Sequence, residues 1–221
     1  MLKIVITSDT HNMNLPQAPE GDVLIHCGDA TNYGSPAEFH KFGEWLSKQP
    51  HKHKIVVHGN HDLEAETAPR ATADTLRLAN PNLHILQDSG VTIEGVRFWG
   101  SPYTPLFGDW AFMKPDNRLE AHWDAIADDT HVLITHGPSA GRLDANRFGH
   151  GCGSKSLAAI VAKLPDLALH AFGHIHESAG VENSVYGDMV YANCAYAGTG
   201  KFYVFTVDNG PVVRVVHHEA R

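Results

Sequence analysis

The chain has 221 residues, 43% of them hydrophobic and 19% charged, a balance that supports a sizeable core and excludes wholesale disorder. Seventeen Lys and Arg stand against 25 Asp and Glu, for a formal net charge of −8. A chain this acidic has no overall field for duplex nucleic acid or for an anionic membrane surface.

The first half alternates strand and helix signals. Leu2 to Thr7 is a short apolar, β-branched run that predicts a buried strand, and Val23 to Ile25 predicts a second. Ser35-Pro36-Ala37-Glu38 has the form of a capping box with proline at the first helical position. Phe39, Phe42 and Leu46 follow at helical spacing, so a helix is expected from about Pro36 to Lys48. Ile55 to Val57 predicts a third strand, with His51-Lys52-His53-Lys54 as a solvated turn leading into it. A further helix is expected over Arg70 to Ala79, closed by Asn80-Pro81. Short strands are expected at Leu83 to Leu86, Val91 to Ile93 and Val96 to Trp99. Asn117 to Ala127 reads as helix and Val132 to Ile134 as a buried strand. Leu157, Ile160, Val161 and Leu164 mark an amphipathic helix stopped by Pro165, and Leu167 to Phe172 is again a strand. The C-terminal part reads as β at Val185 to Tyr191, Lys201 to Val207 and Val212 to Val216. Strands alternating with helices, with extra β at the C-terminus, predict an α/β sandwich with mixed sheets. No repeat or linker divides the chain, so a single domain over residues 1–221 is expected.

Three cysteines, Cys27, Cys152 and Cys194, are far apart and form no Cys-x-x-Cys, which argues against a disulfide framework and suits a reducing compartment. The apolar run at the N-terminus is too short for a signal segment. No run approaches the ~18 apolar residues that a bilayer span requires. The expected location is cytoplasmic, with no membrane partner.

Histidine is the outlier of the composition, at 17 residues. As the commonest metal ligand it points toward a metal site without saying which residues bind. Position narrows the choice. Asp9-Thr10-His11 follows the first predicted strand, Gly28-Asp29 the second and Gly59-Asn60-His61-Asp62 the third. His136-Gly137 follows the strand at Val132, and Gly173-His174-Ile175-His176 follows the strand at Leu167. In open α/β sheets ligands bind beyond the carboxyl ends of the strands. Extended residues at i and i+2 share a side, so Asp9 can converge with His11 and His174 with His176. The donor set holds two carboxylates, an amide oxygen and four imidazoles, more than one tetrahedral zinc requires. Mixed nitrogen and oxygen donors without thiolate suit Mn, Fe, Zn, Ni or Co. Two such cations share a bridging carboxylate and together clamp phosphoryl oxygens.

The ordered set Asp9-x-His11, Gly28-Asp29, Gly59-Asn60-His61-Asp62, His136 and Gly173-His174-x-His176 resembles the full motif of the calcineurin-like metallophosphoesterase superfamily. Further stretches resemble its small metallophosphoesterase-domain-containing branch, which includes class III-like cyclic nucleotide phosphodiesterases. These are Asp29-Ala30-Thr31-Asn32-Tyr33-Gly34, Trp99-Gly100-Ser101-Pro102, Thr135-His136-Gly137-Pro138, Gly149-His150-x-Cys152 and Gly173-His174-Ile175-His176-Glu177. The resemblance implies a four-layer α/β sandwich of two mixed β-sheets flanked by helices. It implies two divalent metal ions, manganese foremost, with Asp9, His11, Asp29 and His176 on the first and Asp29, Asn60, His136 and His174 on the second. His61 would assist the leaving group, with Asp62 orienting its ring. The implied reaction is hydrolysis of a small phosphodiester or cyclic nucleotide by a metal-bridging hydroxide. The alternatives are a phosphomonoesterase or phosphoprotein phosphatase, and a non-catalytic binding module on the same fold; a homodimer is an open option. The chain departs from the motif at His58, where a small residue is expected before Gly59.

Asn32, His150, His26 and His58 are the candidates for substrate contact or for support of the ligands. His26 and His58, each ending or following an apolar run, read first as buried supporting residues. Arg142 and Arg147 are the nearest positive charges to the His136 loop. Trp99, Trp110 and Phe112 are the aromatics available to stack on a base, with packing as their competing fate.

Overall fold

The structure, a computed structural model, describes residues 1–184, 188–208 and 214–218. In chain order the elements begin with β1 (Leu2–Thr7), β2 (Val23–His26), α1 (Pro36–Ser47), β3 (His53–Val56), α2 (Leu63–Thr67), α3 (Pro69–Arg77) and β4 (Leu83–Ile85). They continue with β5 (Ser89–Ile93), β6 (Val96–Ser101), β7 (Thr104–Pro105), β8 (Met113–Lys114), α4 (Asp116–Trp123), β9 (Val132–Thr135) and α5 (Lys155–Val161). The last are β10 (Leu169–Phe172), β11 (Gly180–Asn183), β12 (Val190–Asn193), α6 (Tyr196–Thr199), β13 (Tyr203–Asp208) and β14 (Arg214–His218).

Two six-stranded mixed sheets form the body, in the orders β14-β13-β1-β2-β3-β4 and β11-β12-β10-β9-β6-β5. Each has four parallel strands at its heart: β1 to β4 in the first, and β12, β10, β9 and β6 in the second. Antiparallel strands complete both edges of the second sheet, β11 and β5, and one edge of the first, β13 and β14; the other edge of the first is the parallel strand β4. The alternation of side chains along each strand explains the layering. Ile4 and Ile6 of β1 face Val132 and Ile134 of β9 in a core between the sheets. Val5 and Leu24 point the other way, onto Phe39, Phe42 and Leu46 of α1 and Leu76 of α3. On the outer face of the second sheet, Trp99 and Leu133 meet Leu119 and Trp123 of α4 and Leu157 of α5. Strands buried on both faces read as continuous apolar runs, which is how they appear in the sequence. The result is the expected sandwich of two sheets between helices.

The capping box of α1 forms: the Ser35 hydroxyl accepts from the Glu38 N–H, and Glu38 accepts from the Ser35 N–H at 3.0 Å. Other expectations require correction. The α4 and α5 helices stop at Trp123 and Val161, short of Ala127 and Pro165. Lys54 and His53 lie in β3 rather than in a solvated turn, and His51 is buried. The short α2 helix and the two-residue pair β7-β8 were not anticipated. Of the strand expected over Val185 to Tyr191, residues 185–187 lie outside the described residues, and the described part is strand only from Val190. A further strand, β11, pairs with it antiparallel. Residues 212–213 of the last expected strand also lie outside the described residues.

His170 on β10 is a buried histidine with a structural role. Its Nε2 lies 2.8 Å from the Thr135 hydroxyl and its ring packs against Phe172 and Tyr191. Burial pulls its pKa down to about 3. In the unfolded chain the same ring titrates near ~6.5. Below that pH the unfolded state binds a proton that the folded state refuses, so stability is full above it and declines as the pH falls toward the folded value. Denaturant unfolding at a series of pH values should show an acid limb that His170→Phe flattens by about 1.4 kcal/mol per pH unit. The slope is the readout, because the larger ring changes packing at every pH. An unchanged slope would contradict this.

Candidate metal centre

The carboxyl ends of the parallel strands of both sheets meet on one edge of the sandwich. Ser8 and Ala195 form a parallel bridge between the end of β1 and the end of β12. Around this seam the Asp9 N–H donates to the Gly28 carbonyl at 2.8 Å and the Gly173 N–H to the His136 carbonyl at 2.8 Å. The loops after β1, β2, β3, β9 and β10 therefore open into one place, and every residue of the ordered set lies on them.

Local backbone geometry aims these side chains. Asp9, His11, Asp29 and His174 all have left-handed φ, at 52°, 41°, 55° and 70°. Asp, Asn and His visit this region more readily than most residues. The conformation still costs on the order of 1–3 kcal/mol each and clusters at functional sites. It reverses the chain within a residue or two of the strand end. Close approach is equally demanding. A Cβ on Gly59 would collide with the Asp29 carboxylate, and one on Gly173 with the Asp9 carboxylate and the Ser8 side chain. Both positions require glycine.

Three groups of donor atoms converge, each with its atoms within 4.8 Å of one another: Asp9, His11 and His176; His11, Asp29 and His61; and Asp29, His136 and His174. In the first, His176 Nε2 lies 3.2 Å from Asp9 Oδ1 and 3.2 Å from His11 Nε2. In the third, His136 Nε2 lies 3.3 Å from Asp29 Oδ2 and 2.9 Å from Asn60 Oδ1. Between them, His11 Nε2 is 3.9 Å from Asp29 Oδ2. All seven expected ligands are thus brought together, with Asp29 in the middle. Ring nitrogens and carboxylate oxygens pointing at a common space fit the nitrogen-and-oxygen donor set of borderline divalent cations.

The electrostatics match. Burial would raise the Asp9 carboxyl, but the His176 hydrogen bond and the His136 charge hold it well below the usual carboxylate range. His136 is pushed up to about 9: burial works against this, and the charge and hydrogen bond of Asp29 outweigh it. His174 is lowered to about 4, by burial and then by the His136 charge. His176 is raised by its hydrogen bond to Asp9. His11 is lowered, chiefly by burial. The set carries strong, uneven perturbation of the kind that marks functional clefts.

His61 faces this space from the β3 loop, its backbone N–H donating to Asp29 Oδ1 at 2.8 Å. The expected role of Asp62 is corrected. His61 Nδ1 lies 2.7 Å from the Asn32 backbone carbonyl, so that carbonyl orients the ring. Asp62 accepts from the Thr31 N–H and hydroxyl, at 3.1 and 2.7 Å, and from the Gly59 N–H at 2.9 Å. It braces the loops that carry Asp29 and Asn60. Burial would raise its carboxyl, but the adjacent His58 ring and these bonds keep it well below the ordinary range. His58 is buried, with Nδ1 3.8 Å from Asp62 and its ring stacked on Phe112 at 6.3 Å. His26 is buried behind the site, 3.0 Å from the Thr10 hydroxyl and packed edge-on against Phe42.

His150 is exposed and its ring lies beside Phe148, 6.4 Å away. Among the described residues it makes no hydrogen bond or ring contact with the cluster. Arg142 is committed to Glu182 at 3.1 Å. Trp99 and Phe112 are buried in packing, so of the three aromatics expected to be available for stacking, Trp110 stands at the site, 4.2 Å from the His61 ring. Thr31 and the Asn32 carbonyl were missed as positioning groups. Backbone carbonyls carry no signal in a sequence, although the Thr-Asn pair directly follows Asp29-Ala30.

No helix among the described residues is long and apolar enough to cross a membrane. Two solved structures cover 98% of this chain, with TM-scores of 0.72 and 0.65 at 15% and 14% identity; the second is TT1561 of Thermus thermophilus. They support the fold alone. Among sequence relatives, a UPF0046 protein of Caenorhabditis elegans is 41% identical over 90% of this chain and 71% of its own length. Metallophosphoesterase domain-containing protein 1 of Homo sapiens is 38% identical over 87% of this chain. The chain spans only 65% of that human relative. A family model described as calcineurin-like phosphoesterase matches residues 2–178, a span that holds every residue of the cluster. On these grounds the chain belongs to the calcineurin-like phosphoesterases, a family of metal-dependent phosphoesterases.

Proposed function

We propose that the chain is a dinuclear phosphodiesterase acting on small phosphodiesters or cyclic nucleotides. The observation that carries the dinuclear reading is a chain of overlapping donor groups: Asp9, His11 and His176 at one end, Asp29, His136 and His174 at the other, joined by the approach of His11 to Asp29 in a third. Asp9, His11 and His176 would hold one cation, and Asn60, His136 and His174 the other, with Asp29 common to both. Manganese is the first candidate, with Fe, Zn, Ni or Co as alternatives suited to the same donors. A bound metal pair would supply Lewis acidity toward the phosphoryl oxygens and an activated water.

The chain's own residues supply the rest. A carbonyl only accepts, so His61 Nδ1 donates its proton to Asn32, which leaves Nε2 as the nitrogen that exchanges a proton. With a ring nitrogen of His61 within 4.8 Å of an Asp29 oxygen, Nε2 in its protonated form is the group available to protonate the leaving oxygen as general acid. Gly59 and Gly173 keep the carboxylates close to the backbone, and Asp62 ties the Thr31 and Gly59 segments together.

The test is an assay of a chromogenic diester, bis(p-nitrophenyl) phosphate, with Mn²⁺ before and after exhaustive chelation. It extends to a panel of 2′,3′- and 3′,5′-cyclic nucleotides, linear diesters and monoesters. Diester turnover should vanish on chelation and return with metal, and exceed monoester turnover. Activity that survives removal of all metal would overturn the reading, and a monoester preference would overturn the diester assignment.

A further inference from the structure

Aromatic side chains frame the metal centre in a way that packing does not explain. Tyr33 is 68% exposed and Phe107 61%; single exposed rings are ordinary, but aromatic rings gathered beside a cluster of donor atoms mark a ligand surface. Phe107 lies 5.3 Å from the His174 ring, at 47°. Beside His61, Trp110 lies 4.2 Å from its ring, at 36°, and Tyr33 lies 6.4 Å from Trp110 in a near-parallel arrangement of 21°. His61, Trp110 and Tyr33 thus form a continuous aromatic surface leading outward from the site.

The segment carrying Trp110 is held in place. Its ends are zipped by β7 and β8, through Thr104 N–H to the Phe112 carbonyl at 3.0 Å and Leu106 N–H to the Lys114 carbonyl at 2.9 Å. Phe112 is buried beneath it. The Ala111 N–H donates to the backbone carbonyl of Asn60 at 3.2 Å, and the Phe112 N–H to Glu66 at 3.1 Å. At its far end Lys114 donates to His122 Nε2 at 2.8 Å, while His122 Nδ1 donates to Asp88 at 2.7 Å. Trp110 is therefore positioned against the metal-facing loop before any ligand arrives, the condition under which a ring contributes most to binding.

We propose that Trp110 and Tyr33 are specificity-determining residues: a planar nucleobase of the substrate stacks on them, on the His61 side of the phosphate. This rests on the phosphoesterase reading above and adds the feature that separates nucleotide esters from base-less ones. Stacking is tolerant of base identity, because every base has a π-face, so purine and pyrimidine substrates should both benefit.

The test uses equilibrium binding rather than turnover. AMP and ribose 5-phosphate, identical at the phosphate, are titrated calorimetrically into the full chain with and without Mn²⁺. The wild type should bind AMP about ten- to a hundredfold more tightly than ribose 5-phosphate. Trp110→Ala should bring the two affinities together, and Trp110→Phe should keep most of the preference. Leu106→Ala, on the same segment, should behave as wild type. Equal wild-type affinities would overturn the proposal without any variant, and so would a Trp110→Ala protein that keeps the preference. Absence of turnover on every ester with every metal would instead sink the phosphoesterase reading, a result separable from the binding ratio.

Discussion

Asp29→Asn should empty the centre of metal and lower turnover at least about a thousandfold. The carboxylate stands between the two donor clusters, 3.3 Å from His136 Nε2 and 3.9 Å from His11 Nε2. Asparagine keeps the shape and the Oδ1 that accepts from the His61 N–H, so the loop should fold. It removes the negative charge and presents an amide instead of a second oxygen donor. Loss of several kcal/mol of stabilisation of charge in the transition state corresponds to that factor. Elemental analysis after gel filtration, with thermal unfolding as the control for folding, reads the result. A variant with full metal content and wild-type turnover would show that Asp29 is not shared.

His61→Ala should produce the complementary result: metal content unchanged and kcat reduced about 10²- to 10⁴-fold. The ring is held by the Asn32 carbonyl; it converges with His11 and Asp29, but the groups around Asp9 and around His136 each form without it. Diesters with a good leaving group, such as p-nitrophenol, should be affected less than cyclic nucleotides, because they require less protonation. The Asp62 variant separates the two roles. If Asp62 oriented His61, Asp62→Asn would reproduce the His61→Ala dependence on leaving group. As a brace for Thr31 and Gly59, it should lower the unfolding midpoint and metal affinity while that dependence stays at the wild-type value. Loss of metal in His61→Ala would overturn the assignment of His61 as an acid.

Much of this was legible in the residues because the two signals coincide. Ile4, Ile6, Val23, Ile25, Val132 and Ile134 are apolar runs that name the strands, and Asp9, Asp29 and His136 follow them directly. The capping box at Ser35 worked for the same reason: its donors and acceptors are local. What failed were features settled by tertiary contact. Asp62 adjoins His61 in sequence, yet the tight turn carries its carboxylate back to Gly59 and Thr31. Phe112 and Trp110 are alike in composition, but only the first has a core to enter. His51 reads as a polar turn residue and is buried near Gly21 and Val5. The β7-β8 pair has two residues per strand, too few for any periodicity, although it positions the aromatic segment beside the centre.

The most direct measurement is a crystal structure of the chain grown with Mn²⁺, phased to locate anomalous scatterers. Two peaks about 3.5–4 Å apart are expected, one on each side of the Asp29 carboxylate, with Asp9, His11 and His176 around one and Asn60, His136 and His174 around the other. A single peak, or peaks away from Asp29, would contradict a shared dinuclear centre.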